Sequence, residues 1–125
     1  PHMKERGGKV INMASASGMV GFPGIAAYNM TKEAVRSLTR TAAKEWAQHQ
    51  ITVNVICPAL KTDAFTVFEE TRPDFAKQLV DSIPLGRFGD PMADGAPLMV
   101  FLAGGGADYI TGMTFMLNGG RDIFH

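Results

Sequence analysis

Three side chains in the first third of the chain could act together on one oxygen atom of a substrate: Ser15, Tyr28 and Lys32. They offer a hydroxyl, a phenol and an ammonium group, so the set can donate hydrogen bonds, transfer a proton and supply a positive charge. Tyr28 and Lys32 are four positions apart, a spacing that puts both on one face of a helix. Proton transfer at a carbonyl or alcohol oxygen needs a donor positioned at that oxygen. The chain therefore carries the groups for such chemistry, provided that its fold brings Ser15 close to the other two.

The elements around these residues predict how they are positioned. The short apolar run before Ser15 predicts a strand over about residues 9–15. Apolar residues at helical spacing predict a helix over about residues 26–48, with a broad apolar face that favours packing on two sides. The stripe on this face comprises Ala27, Met30, Ala34, Leu38, Ala42 and Trp46. Ser15 is then expected where a strand ends, and Tyr28 where a helix begins.

The rest of the chain predicts an α/β domain with a parallel sheet. Ile51–Cys57 is β-branched and mostly apolar, which is typical of a strand buried on both faces, and Pro58 ends it. The further expected elements are one or two short helices in a flap over about residues 62–90, a helix over 92–102 that becomes regular near Pro97, and a strand over 113–117. The order β-α-β-α-β has crossovers long enough to join parallel strands. We interpret residues 1–125 as a single partial domain.

Composition narrows the class of protein. Twelve basic residues balance twelve acidic ones, so no electrostatic field favours nucleic acid or an anionic membrane. No apolar run reaches the roughly 18 residues that a membrane span needs. The single cysteine, Cys57, excludes an internal disulfide and fits a reducing compartment, so we expect a cytoplasmic protein that binds neither nucleic acid nor membrane.

The spacing of Ser15, Tyr28 and Lys32, thirteen and then four positions apart, resembles the catalytic pattern of the short-chain dehydrogenase/reductase family. Other segments that resemble the family in the right order are Val10–Asn12, Val53–Pro58, Pro84–Gly89, Tyr109–Gly112 and Asn118–Gly120. The similarity covers nearly the whole chain. It implies the C-terminal half of a Rossmann-like, doubly wound parallel sheet.

The resemblance also implies a function. The protein would be an oxidoreductase that uses NAD or NADP to transfer a hydride to or from a small-molecule carbonyl or secondary alcohol. Tyr28 would be the acid/base, Lys32 would lower the pKa of Tyr28 and hold the nicotinamide ribose, and Ser15 would orient the substrate oxygen. The cofactor-binding residues implied are Tyr28, Lys32, Pro58, Ala59, Leu60 and Thr62.

The sequence also departs from the family pattern. The glycine-rich dinucleotide turn and the acidic residue for the adenosine ribose are not in the sequence, so we expect the N-terminal dinucleotide-binding half to be absent. Ala59 stands where the family usually has glycine, and Thr62 comes one position early. The missing half would come from a partner chain or a missing segment, and the exposed strand edge favours a homo-oligomer. The alternative is a truncated, inactive fragment that acts only as an oligomerising domain.

Several other residues have more than one interpretation. Ser17 could contact substrate or cap a turn, and we favour the cap. Phe65, Phe68 and Phe75 could line a substrate pocket or hold short helices together, and we slightly favour the second. Cys57 is expected to pack as a small apolar group. The histidines have no ligand spacing, so no metal is assigned; they are His2, His49 and His125.

Overall fold

Three parallel strands form the centre of the molecule. The structure, a computed structural model, describes residues 1–124. The strands are β1 (Gly8–Met13), β2 (Ile51–Pro58) and β3 (Thr114–Leu117), in the spatial order β1-β2-β3. Val10 lies opposite Val53, and Val55 lies opposite Thr114. The α/β class with a parallel sheet is confirmed, and the first strand ends two residues before Ser15.

The central strand is buried on both faces, as its β-branched sequence predicts. All residues from Ile51 to Cys57 are buried. Alternate side chains serve opposite faces, because successive residues of a strand point to opposite sides. Val53 packs with Ala42 and Ala43 on one face, whereas Ile56 packs with Leu102 on the other. The sheet is therefore covered by helices on both faces, which is the layering of an α/β fold.

The helices follow the predicted order with one addition. They are α1 (Ala16–Val20), α2 (Ala26–Trp46), α3 (Asp63–Thr71), α4 (Pro73–Asp81) and α5 (Ala96–Ala103). Helix α5 follows a π-helical turn, Pro91–Gly95, and begins next to Pro97 as expected. No helix within residues 1–124 is both long and apolar enough to cross a bilayer.

Helix α1 is the element that the sequence analysis missed. Ser15 caps its N-terminus, since the Ser15 hydroxyl accepts a hydrogen bond from the Ser17 N–H. Gly21 ends it in the left-handed conformation at φ 68°, where glycine carries no steric penalty. The sequence did contain a signal for this helix: a serine that can cap its N-terminus and, six residues later, a glycine that can end it. The connection between Ser15 and the long helix thus contains a helical turn of its own.

Of the predicted apolar stripe on α2, Ala42 is buried against the sheet, whereas its large members are exposed. Met30 is 70% exposed and Leu38 is 61% exposed. The buried residues of the helix are Thr39, Ala42 and Ala43. Hydrophobicity favoured the larger side chains, but a parallel sheet brings the helix close, and small residues fill that contact. The exposed side chains lie on a flank of α2 that no element in the described part of the chain covers.

Two asparagine side chains fasten the strands to their neighbours. The Asn54 side chain, 1% exposed, donates to the Ile110 carbonyl at 2.8 Å and accepts from the Met113 N–H at 3.1 Å. The Asn12 amide donates to the Thr39 hydroxyl at 2.9 Å, which ties β1 to α2. Buried amides are stabilising only when such partners satisfy them. These bonds hold β1 against α2 and β2 against the segment that leads into β3.

Candidate active site

Ser15 lies directly beyond the carboxyl end of β1, at the start of α1. Its hydroxyl oxygen accepts from the Ser17 N–H at 3.2 Å and lies 2.8 Å from the Ser17 hydroxyl oxygen. Ser17 was predicted to cap a turn, but the residue that caps α1 is Ser15. Ser17 instead contacts Ser15 through its N–H and its hydroxyl. The two hydroxyls form a pair at the point where ligands bind in parallel α/β sheets.

Tyr28 and Lys32 lie one turn apart near the start of α2. The Lys32 amine is 5.5 Å from the centroid of the Tyr28 ring. The same amine donates to the Met13 carbonyl at 3.3 Å, at the end of β1. Lys32 therefore links the helix that carries the phenol to the strand end that precedes the hydroxyl.

The phenol itself is half-exposed. Tyr28 has an exposed fraction of 46%. Within residues 1–124, no hydrogen bond joins its hydroxyl to Ser15 or Lys32. The structure thus brings Lys32 to both Tyr28 and the end of β1, and leaves the Tyr28 hydroxyl available for another partner.

A small cavity opens next to Ser15 between the ends of the strands. Its volume is about 70 Å³, roughly twice the share of one water in the liquid. The residues that line it are Ser15, Ala16, Ser17, Val20, Phe22, Cys57, Pro58, Ala59, Asn118, Arg121 and Asp122. Tyr28 and Lys32 do not line it. The cavity joins the end of β1, the end of β2 and the turn after β3, which is the edge where a substrate would meet Ser15.

The four residues at and after the end of β2 that were suggested for cofactor binding divide into two pairs. Pro58 and Ala59 line the cavity with Ser15. The Leu60 side chain instead approaches Gly89 and Gly95, where an added Cβ would lie 2.7 and 2.9 Å from it. Thr62 is exposed and caps α3, its hydroxyl accepting from the Phe65 N–H at 3.4 Å. The structure therefore groups only Pro58 and Ala59 with the serine.

Cys57 is buried beside this cavity, as predicted for a small apolar group. Burial raises the pKa of its thiol, and this effect outweighs the opposite effect of the Arg36 charge. A buried thiol with a raised pKa is a poor nucleophile at neutral pH. We assign no chemistry to it.

The flap aromatics contact one another. The ring centroids of Phe65 and Phe88 are 4.0 Å apart, and those of Phe68 and Phe75 are 5.8 Å apart with an edge-on geometry. These contacts favour the interpretation that the rings hold α3 and α4 together.

In the part of the chain that the structure describes, no cluster of three His, Cys, Asp or Glu side chains could hold a metal ion. His125 lies outside the described residues.

Comparison with known proteins decides the family. The family model for enoyl-(acyl carrier protein) reductase matches residues 1–122. The chain belongs to the short-chain dehydrogenase/reductase family. The predicted resemblance is confirmed, and with it the oxidoreductase class of its relatives.

Individual relatives show how much of the family protein this chain spans. It is 39% identical over 120 residues to a 12α-hydroxysteroid dehydrogenase of Clostridium sp., covering 96% of this chain and 46% of that protein. It is 42% identical over 118 residues to the 3-oxoacyl-[acyl-carrier-protein] reductase FabG of Staphylococcus epidermidis, covering 94% and 47%. It is 40% identical over 114 residues to a 2-dehydro-3-deoxy-D-gluconate 5-dehydrogenase of Dickeya dadantii, covering 91% and 45%. The chain spans about half the length of the curated relatives it matches.

Solved structures agree on the architecture. The TT0495 protein of Thermus thermophilus superposes with a TM-score of 0.87 at 36% identity, covering 97% of this chain and 52% of that one. The Rossmann-like α/β fold is thereby confirmed. The narrower prediction, that the chain is the C-terminal half of that fold, is not supported by these comparisons.

Sequence reasoning missed the part of the cavity formed after β3. Asn118, Arg121 and Asp122 line it together with Ser15. The Asn118-Gly119-Gly120 run predicted the turn, but not which side chains it presents. Only the fold reveals that this turn lies beside a serine about a hundred positions earlier in the chain.

Proposed function

We propose that this chain is the catalytic part of an NAD(P)-dependent oxidoreductase that interconverts a carbonyl and a secondary alcohol. Membership of the family supports the oxidoreductase class. The observation that carries the proposal is the position of the Lys32 amine, 5.5 Å from the Tyr28 ring and within hydrogen-bond distance of the Met13 carbonyl. This contact ties the helix that carries Tyr28 to the end of β1, two residues before Ser15. We propose that Tyr28, Lys32 and Ser15 act on one substrate oxygen.

Each of the three residues has a distinct role in this proposal. Tyr28 donates its phenol proton to the carbonyl oxygen during reduction and takes the proton back during oxidation. The Lys32 ammonium stabilises the phenolate by charge. Ser15 donates a hydrogen bond to the same substrate oxygen. When bound, a nicotinamide supplies or accepts the hydride.

Several of the residues suggested for cofactor binding have hydrogen-bonding groups that are not used by any partner among residues 1–124. Lys32 carries three N–H donors, of which the Met13 carbonyl uses one, so two remain for ribose hydroxyls. Around Leu60, the bridge to Gly89 uses the Ala59 carbonyl and the Lys61 N–H, leaving the Leu60 backbone groups for a ligand.

Thr62 keeps its hydroxyl proton, since its oxygen is the acceptor in the helix cap. Pro58 and Ala59 would form the wall between cofactor and substrate.

The group that binds the dinucleotide phosphates would lie outside these 125 residues. The sequence contains no glycine-rich phosphate turn after a strand. Within residues 1–124, β1 pairs only with β2, so its outer edge keeps unpaired N–H and C=O groups. We propose that strands of a missing segment or partner chain pair with this edge and bring the phosphate site.

The test of the proposal is the substitution Tyr28→Phe, which removes the phenol proton and keeps the ring. In the complete enzyme, with the segment or partner that supplies the phosphate site, we expect kcat for NADH- or NADPH-dependent reduction of a ketone probe to fall at least about 100-fold, the scale of general acid catalysis. Tyr109→Phe is the matched control, because Tyr109 is fully exposed and remote from the cavity lining. Rates for Tyr28→Phe equal to those of the control would reject Tyr28 as the acid/base.

A second candidate is an inactive domain that only self-associates. The exposed flank of α2 and the open edge of β1 favour it, since both are surfaces that another chain could cover. Titration with NADH and NADPH of the chain assembled with the segment or partner that supplies the phosphate site, followed by nicotinamide fluorescence, separates the two candidates. Saturable binding that Lys32→Met weakens supports the oxidoreductase, and no response to either cofactor supports the inactive domain.

A further inference from the structure

The turn after β3 is built so that two charged residues face the same cavity as Ser15. The Asn118 side chain, itself buried, donates to the Asp122 carbonyl at 3.0 Å and accepts from the Gly120 N–H at 3.2 Å. The Arg121 N–H returns to the Asn118 carbonyl at 3.2 Å. Backbone bonds and one amide thus fix the turn, and neither charged side chain is used to hold it.

The turn is also anchored from outside. Gly119 and Gly120 have φ values of 61° and 85°, a region that side chains other than glycine's rarely adopt. A Cβ at Gly119 would lie 2.7 Å from Ile83, and one at Gly120 would lie 3.3 Å from Pro84. The close packing against Ile83–Pro84 means that Arg121 and Asp122 are held in place, not on a loose tail.

Among residues 1–124, the Arg121 side chain has no hydrogen-bonding or ion-pair partner. It is half-buried, yet among residues 1–124 its guanidinium makes no ion pair and no hydrogen bond. Arg87 and Arg36, by contrast, each pair with a carboxylate. A half-buried guanidinium has five N–H donors, and their fixed fork matches the two oxygens of a carboxylate.

We propose that Arg121 binds a carboxylate of the substrate, so that the enzyme acts on short oxo or hydroxy acids. The proposal rests on the function proposed above, because Ser15 would hold the reacting oxygen in the same cavity. That cavity measures about 70 Å³, little more than two water volumes. Because Arg121 and Ser15 both line this cavity, a carboxylate bound by Arg121 would lie near a substrate oxygen held by Ser15. Asp122 lines the cavity as well and selects against a second negative charge.

The test compares acids with their neutral esters. Lactate and 3-hydroxybutyrate, each against its methyl ester, are titrated into the ¹⁵N-labelled chain, and the amide signals of Ser17 and Arg121 are followed. We expect the wild type to bind each acid more tightly than its ester. Arg121→Gln should reduce acid binding roughly 10- to 100-fold and leave ester binding unchanged, as expected for loss of a charge-assisted pair.

Three further variants sharpen the comparison. Arg121→Lys keeps the charge but loses the fork, so it should recover only part of the acid preference. Asp122→Asn removes the competing charge and should strengthen acid binding. Arg72→Gln is the control, because Arg72 is an exposed arginine of the flap that does not line the cavity. Signals of β2 report whether each variant keeps its fold.

The outcomes separate this proposal from the proposed function. Equal binding of acid and ester by the wild type, the same ratio in Arg121→Gln, or no binding of any probe overturns the carboxylate site. If that happens while Tyr28-dependent reduction of a neutral ketone persists, the function stands without it. If acids bind through Arg121 but no turnover depends on Tyr28, the site stands and the catalytic proposal fails.

Discussion

At the scale of single residues, the pair of serines decides what the candidate site can donate. The Ser15 oxygen accepts the Ser17 N–H and lies 2.8 Å from the Ser17 hydroxyl. If Ser17 donates in that contact, both acceptor positions of Ser15 are filled and its own proton is free for the substrate oxygen. Ser17 would then be a positioning residue that acts through Ser15.

This role predicts a graded effect of two alanine substitutions. Ser17→Ala should lower kcat by roughly three- to tenfold, the value of one neutral hydrogen bond. Ser15→Ala should cost roughly 100- to 1,000-fold in kcat, as a lost donor does, and should also destabilise α1 by about 1 kcal/mol as a lost cap. Steady-state kinetics and thermal unfolding check both, with the exposed Ser37→Ala as control. A wild-type kcat in Ser17→Ala contradicts the positioning role.

At the scale of elements, the strands were predictable and the helix faces were not. The run Ile51–Cys57 specifies a doubly buried strand because every residue in it is compatible with an apolar neighbour on either side. The α2 stripe was predicted in part: Ala42 is buried, whereas Leu38 is exposed, because the close approach of the sheet leaves space only for small side chains. Of the site, local spacing predicted the Tyr28–Lys32 pair. Contacts between distant segments, such as Arg121 beside Ser15, have no local signature.

The segment that leads into α5 is held by an ion pair with a testable pH dependence. Asp94 accepts from Arg87 at 2.6 and 3.1 Å and from the Asp90 N–H at 2.6 Å. Arg87, followed by the Asp90 N–H, lowers the pKa of Asp94 to about 2. An unfolded aspartate titrates near ~3.9, so the interaction stabilises the fold above that pH and is lost as the pH falls through about 2.

Arg87→Gln should therefore lower the melting temperature slightly at neutral pH, since the pair is exposed. The difference from the wild type should shrink as the pH falls below ~4, because the wild type then loses the same interaction. Arg72→Gln is the control, because it breaks no ion pair among the described residues. Its melting temperature should differ from that of the wild type by an amount that does not vary with pH. If the difference in melting temperature between Arg87→Gln and the wild type is as large at low pH as at neutral pH, the stabilising role of the Arg87–Asp94 pair is contradicted.

At the scale of the whole molecule, two surfaces have no partner among residues 1–124. The outer edge of β1 has no strand neighbour among residues 1–124, and α2, which packs on β1 through the Asn12–Thr39 bond, exposes Met30 and Leu38. Unpaired strand edges and contiguous apolar surfaces both favour association with another chain. A molecule with balanced charge has little net repulsion to oppose this.

We predict that the chain self-associates at micromolar concentration through the α2 flank. In a two-fold symmetric contact each side chain is buried twice, and full burial of one is worth about 1.5–3 kcal/mol. Replacing Met30 and Leu38 together by lysine should therefore weaken association at least roughly 100-fold. Sedimentation velocity over a concentration series measures this, with Met92→Lys as control for an exposed methionine elsewhere. If the wild type stays monomeric, self-association is rejected. If the double variant remains associated, the contact is not formed by the α2 flank, and the open edge of β1 is the surface to test next.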